Sequence, residues 1–328
     1  MIISKTPFRI SFFGGGTDYP VWYKENQGAV LSTTIDKYCY ITARYLPPFF
    51  PHKYRIIYSK IETVKNIEEI LHPAVRETLK FLDINKGIEI HHDGDLPAKT
   101  GMGSSSAFTV GLLNSLYALK GMMVSKEKLA KEAIHIERDI LQENVGAQDQ
   151  IATSYGGFDK INFNGNDEFR VEPIIITRDR ISQLENHLML YFTGFSRIAS
   201  KVAKAQIKNT PQKKRELILM YQMVDEAINI LNKNKNIFEF GNLLNETWKL
   251  KRSLTNKISN SMIDTIYEMA LKAGAIGGKL LGAGGGGFMI FFVPPKKQSK
   301  VRKTLKGLLE VPFNFESEGS QIIYYNSQ

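Results

Sequence analysis

The 328-residue chain predicts a mixed α and β protein built as two domains. Three observations lead there. The length exceeds that of one average domain. Hydrophobic residues make up 43% and charged residues 23%, the composition of a packed globular protein. Strand-like runs alternate with helix-period segments, and no tandem repeat or low-complexity linker interrupts them.

Taken in order, the strands are RISFFG (9–14), YCYITARYL (38–46), YRIIYS (54–59), GIEIHHD (87–93), HLMLYFTG (187–194), GFMIFFV (287–293) and QIIYYN (321–326). Each is a β-branched or aromatic run bounded by Gly, Pro or Asp. Helical periodicity covers 66–82, 104–120, 126–142, 197–208, 213–234, 238–256 and 260–273. The second half starts with a strand, passes through four helices and ends in two strands. A boundary near residue 185 is therefore expected, dividing the chain into 1–185 and 186–328.

The net charge of +10 suggests an anionic partner. Lysines and arginines are spread along the chain, with no zinc-finger spacing and no RNA-binding aromatic signature, which argues against nucleic acid. No apolar run reaches membrane-spanning length and the N-terminus lacks the pattern of a signal peptide, so a cytoplasmic protein without a membrane partner is expected. The single cysteine, Cys39, cannot form an internal disulfide and reads as a core thiol.

Three glycine-rich places need an explanation. In LPAKTGMGSSSA (96–107), Gly101 and Gly103 precede Ser104, Ser105 and Ser106 at the start of a nearly apolar helix. A helix N-terminus offers unpaired amides and a partial positive charge, so small residues there let phosphate approach. The hydroxyls can cap the helix, donate to phosphate or ligate magnesium; an ordinary capped helix needs only one of them. KLLGAGGGGF (279–288) matches G-x-G-x-x-G at Gly282, Gly284 and Gly287, but a strand follows where a dinucleotide fold requires a helix. The run is a ligand-facing backbone or a flexible hairpin. In TPFRISFFGGGTDYP (6–20), Arg9 lies on a strand that leaves through Gly16 into Thr17, Asp18 and Tyr19. Asp18 suits paired sugar hydroxyls, although Asp after Gly is also ordinary turn chemistry.

Two acids stand out. On the 126–142 helix, Glu137 falls among Ala130, Ile134 and Leu141, the one charge on the apolar half, and an inward carboxylate must be paired or bound to a cation. Asp149, in NVGAQDQIATSYGGF (144–158), is expected on a loop. Together they fit a magnesium ligand and a base for a hydroxyl nucleophile, or else a salt bridge and a helix cap.

TPFRISFFGGGTDY, LPAKTGMGSSSA and KLLGAGGGGF resemble, in chain order, the first, second and third motifs of the GHMP kinases, small-molecule kinases that include galactokinase and mevalonate kinase. The resemblance spans residues 6 to 288. It implies a two-domain α+β fold, with a mixed-sheet N-terminal domain, a ferredoxin-like C-terminal domain and the active site in the cleft between them. It implies that Gly101, Met102, Gly103, Ser104, Ser105 and Ser106 wrap the ATP phosphates, and that Ser105 and Glu137 hold Mg2+. Asp149 would take or orient the proton of the attacking hydroxyl, with Arg9 beside it offsetting transition-state charge. Gly16, Thr17, Asp18 and Tyr19 would meet the acceptor, and the loop containing Gly284 and Gly285 would close over both substrates.

Galactokinases typically carry Glu and His just before Thr-Asp-Tyr, where this chain has Gly15 and Gly16. FGGGTDYPVW is more similar to the sugar kinases acting on D-glycero-D-manno-heptose 7-phosphate, and fucose kinases share part of it. Arg197, Lys201, Lys204 and Lys208 recur on one helical face; Ser196 and Arg197, at its start, suit the anionic end of a sugar phosphate, while the lysines suit either that role or a solvated face. The expectation is an ATP- and Mg-dependent sugar 1-kinase, monomeric or homodimeric. A kinase of an unphosphorylated sugar and a non-catalytic sugar sensor are the alternatives.

Overall fold

The computed structural model describes residues 1–165, 168–194, 199–233 and 235–326. Its first layer is a mixed nine-stranded sheet whose main path runs, by strand, Gln321–Tyr325, Ile2–Phe13, Gly28–Tyr45, Ile88–Gly94, Tyr54–Ile57 and Ile61–Val64. All its pairings are antiparallel except that of Tyr54–Ile57 with Ile88–Gly94. The 18-residue strand Gly28–Tyr45 is the spine: its first half pairs with Phe158–Phe163 and its second half with Ile88–Gly94. A second sheet of four antiparallel strands orders Leu309–Glu310, Leu188–Phe192, Phe288–Phe292 and Gly277–Leu280.

The helix Ser104–Leu119 packs on the first sheet and is apolar almost all round, with Ala107, Val110, Leu112, Leu113 and Leu116 fully buried. A helix without a polar face can only be a core helix, so its start is held rigidly. Two hydrophobic clusters each join the two layers. Phe240, on the helix Phe238–Leu254, meets Phe12 and Phe13 of the first sheet edge-on at 5.6 and 5.1 Å and lies 6.3 Å from Phe292 of the second.

The structure refines the sequence reading at several places. The periodic stretch 66–82 becomes a short turn, Ile67–Glu69, and a helix, Pro73–Phe81. Proline at the first helical position fixes that start, and Glu62 takes the Leu71 and His72 amides at 2.6 and 3.1 Å. The stretch 126–142 runs as an α-helix over Lys126–Ile134 and then widens into a π-helical turn over His135–Ile140. Asp149 is on a helix, Gln148–Tyr155, rather than a loop; a helix of eight residues is too short to show a clear period. Strands Phe158–Phe163, Phe169–Pro173 and Gly277–Leu280, and helices Arg178–Glu185 and Pro295–Thr304, add to the expected set. Strands Phe315–Glu316 and Gln321–Tyr325 lie beyond residue 186 in sequence, while their hydrogen bonds belong to the first sheet. Cys39 is fully buried, and that burial pushes its thiol pKa up.

Candidate active site

The site forms where the strand Ile2–Phe13, the start of the helix Ser104–Leu119, the helix Gln148–Tyr155 and the glycine run 282–287 converge. Arg9 is 2% exposed and pairs with Asp149 through both carboxylate oxygens, Nε to Oδ1 at 2.8 Å and Nη2 to Oδ2 at 2.6 Å. Its Nη1 donates to the Gly101 carbonyl at 2.7 Å, and its backbone amide donates to the Met102 carbonyl at 3.1 Å. One arginine thus fixes both the acid and the glycine loop in front of the helix. The fork of five donors suits this work, which a lysine's single ammonium could not do.

Gly103 stands at the helix N-cap in the left-handed region, φ 74°, and the cap has no side-chain bond. The first amides of the helix are left for an incoming acceptor. Of the three serines, Ser104 turns back to accept from the Lys99 amide at 3.1 Å, Ser105 is exposed, and Ser106 donates to Glu137 at 2.8 Å. The buried Met102 anchors the loop.

Gly101 has φ 84°, and a Cβ on it would lie 2.4 Å from the Leu281 carbonyl oxygen; one on Gly282 would lie 2.4 Å from the Gly101 Cα. The two glycine segments therefore lie backbone against backbone, which explains glycine at both places. Gly284 and Gly285 sit farther along, against Ile258, whose carbonyl takes the Gly285 amide at 2.9 Å.

Glu137 is fully buried on the π-helical turn. Ser106, Thr109 at 3.1 Å and Gln150 all donate to it. Burial pushes its pKa up to about 7, against the lowering effect of Ser106, Gln150 and Ser105 hydrogen bonds. A carboxylate rimmed by hydroxyls is a hard oxygen donor set and fits Mg2+. Among the described residues no group of three or more His, Cys, Asp or Glu could hold a metal. An ion here would share its ligands with substrate phosphates, the usual habit of magnesium.

The acceptor residues divide. Asp18 is 2% exposed, with Oδ1 accepting from the Gly16 amide at 2.8 Å. Burial, and to a smaller extent the charge of Asp149, raises its pKa. Gly146 comes so near that a Cβ there would lie 1.8 Å from Asp18 Oδ2. Tyr19 is buried beside Asp18. Thr17 spends its hydroxyl within the turn, donating to the Gly14 and Ala29 carbonyls at 2.8 and 2.9 Å. It shapes the turn and keeps nothing to offer a ligand. Ser196 and Arg197 lie outside the described residues.

Two buried lysines escaped the sequence reading. Lys251 donates to the Gly282 carbonyl at 2.5 Å, and Lys279 donates to the Ser11 and Phe12 carbonyls at 2.9 and 2.8 Å. Burial lowers both pKa values, that of Lys251 to about 8. The signal was available: Leu244, Trp248 and Lys251 follow the buried stripe of their helix, as Glu137 follows its own.

A rigid helix start, a buried carboxylate among hydroxyls and an arginine-clamped aspartate lie together, the kinds of group that phosphoryl transfer uses. The comparisons agree with that geometry. Residues 63–157 match the GHMP kinases N terminal domain and residues 223–310 the GHMP kinases C terminal domain. The chain is similar to D-glycero-alpha-D-manno-heptose 7-phosphate kinase of Campylobacter jejuni, 31% identical over 97% of each chain. In fold it is similar to a D-glycero-D-manno-heptose 1-phosphate kinase from Bacteroides thetaiotaomicron, with TM-score 0.79, 24% identity and full coverage of both chains. It also matches the galactokinase of Lactococcus lactis in fold, with TM-score 0.74 and 19% identity over 98% of this chain and 94% of that one. The chain belongs to the GHMP kinase family and is an ATP-dependent phosphotransferase. No described helix is long and apolar enough to cross a membrane.

Proposed function

We propose that the protein phosphorylates the anomeric hydroxyl of D-glycero-D-manno-heptose 7-phosphate, using ATP and Mg2+ and giving the 1,7-bisphosphate. The Arg9–Asp149 pair carries the kinase part of this reading, because it sets a carboxylate that can receive a hydroxyl proton beside the start of the phosphate-receiving helix. The Campylobacter relative supports the heptose acceptor.

In this reading the helix start from Gly101 to Ser106 holds the ATP phosphates, and Glu137 with Ser105 would hold the magnesium ion. Magnesium, when bound, neutralises charge on the β- and γ-phosphates. Asp18, Tyr19 and the Gly16 turn orient the sugar, Asp149 accepts the proton, and Arg9 offsets charge on the transferring group. Gly284 and Gly285 lie in the loop that covers the cleft. Ser196 and Arg197 take the acceptor's own phosphate, within a C-terminal part running from residue 186.

ADP release with Mg2+ and ATP tests the acceptor on D-glycero-D-manno-heptose 7-phosphate, sedoheptulose 7-phosphate, mannose 6-phosphate, L-fucose, galactose and mevalonate. Activity confined to the heptose phosphate is expected. Preference for a free sugar overturns the acceptor and leaves the kinase. With the active acceptor, Arg197→Ala raises the acceptor KM more than the ATP KM; an unchanged acceptor KM removes Arg197 from the site.

A further inference from the structure

Lys251 carries more donor capacity than its surroundings use. It is 5% exposed, and its one hydrogen bond among the described residues goes to the Gly282 carbonyl. An ammonium has three protons to give, and an underpaired buried cation is costly unless an anion joins it. The charged groups around it are Arg9 on the first strand, Asp18 on the glycine turn, Asp149 on the helix Gln148–Tyr155 and Lys279 on the strand Gly277–Leu280. Asp149 is already engaged by Arg9 through both oxygens, and Asp18 accepts from the Gly16 amide. Three basic side chains therefore face two carboxylates, and both carboxylates already have partners.

The contacts place this charge close to the point of transfer. Lys251 holds Gly282, Gly282 rests on Gly101, and the Gly101 carbonyl is held by the arginine that grips Asp149. We propose that the Lys251 ammonium contacts the γ-phosphoryl group during transfer, acting with Arg9 as a second cation of the catalytic centre. In that step the acceptor oxygen forms a bond to the γ-phosphorus, the bond from that phosphorus to the β-γ bridging oxygen breaks, and ADP leaves. The hydroxyl proton passes to Asp149. Lys251 exchanges no proton and stabilises the charge spread over the equatorial oxygens. The lowered pKa of the free lysine fits a cation waiting for an anion.

The proposal rests on Asp149 marking the transfer point, and the test separates the two. Lys251→Gln keeps a donor for the Gly282 carbonyl and removes the charge. It is expected to lower kcat about 100-fold with the active acceptor while ATP affinity and melting temperature stay near wild type. Lys251→Arg is expected to recover part of the rate. The wild-type kcat/KM falls as pH rises through about 8, where Lys251 loses its proton, and this limb is absent in Lys251→Gln. Wild-type kcat in Lys251→Gln overturns the proposal and leaves Lys251 as a strut for the glycine run. A raised acceptor KM at unchanged kcat also overturns it, by assigning the lysine to the acceptor's phosphate. Asp149→Asn run alongside must be inactive; if it is active, the reading of the centre itself falls.

Discussion

Arg9 and Asp149, 140 residues apart in sequence, face each other with both carboxylate oxygens and two guanidinium nitrogens engaged, at 2.8 and 2.6 Å. The same guanidinium holds the Gly101 carbonyl, so the proposed base and the proposed phosphate loop share one anchor. Asp149→Asn should abolish turnover while nucleotide affinity stays nearly intact. Arg9→Lys keeps the charge but loses the fork, and should lower kcat by about 100-fold. Steady-state rates and nucleotide titration of both variants check this; full activity of Asp149→Asn removes the base assignment.

The contact between Gly101 and the 281–282 backbone leaves no room for a side chain. Gly101→Ala puts a Cβ 2.4 Å from a carbonyl oxygen at φ 84°, combining a clash with a strained backbone. It should cost about 2 kcal/mol or more and suppress activity, because the phosphate loop must move. Gly307→Ala, where a Cβ would meet nothing within 4 Å, is the matched control and should behave as wild type. Urea unfolding of the two proteins decides the point.

As the proposed metal ligand, Glu137 ties metal use to pH. Its proton must leave before magnesium binds, and burial keeps that proton until about pH 7. The Mg2+ concentration for half-maximal activity should rise about tenfold for each pH unit below 7. Glu137→Gln should need far more Mg2+ and lose this dependence. Magnesium titrations from pH 6 to 8 measure it, and a wild-type half-saturation that does not change with pH excludes Glu137 as a ligand.

Much of this centre was legible in the sequence because burial leaves a periodic trace. Glu137 was found as a charge on an apolar helical half, and the same reasoning would have found Lys251. Arg9 and Asp149 were named as separate features, but only the family resemblance joined them, since nothing in either local pattern encodes a partner 140 residues away. The helix bearing Asp149 is two turns long between glycines and leaves no reliable period. The strand Gly277–Leu280 was hidden by its own glycines, which suit the close approach of Gly277 to the Gly241 carbonyl, where a Cβ would come within 2.1 Å. Thr17 showed the opposite limit: its residue type suggested a ligand, and the fold uses its hydroxyl to close a turn.

Asp159 gives a stability test outside the reaction centre. It is 6% exposed at the start of the strand Phe158–Phe163, and burial raises its pKa from 3.8 to about 7, with Lys126 opposing the shift. An acid whose folded pKa lies above its unfolded one keeps its proton longer in the native state. The native state then binds more protons between pH 3.8 and 7, so stability falls as pH rises through that window and stays low above it. Asp159→Asn removes this loss. The variant should match wild type near pH 3 and exceed it at pH 8 by up to about 3 kcal/mol. Glu137 titrates near the same pH in both proteins, so its contribution cancels in the difference. Urea midpoints of the two proteins from pH 3 to 8 measure the effect; parallel curves would mean that Asp159 ionises as freely in the fold as in the unfolded chain.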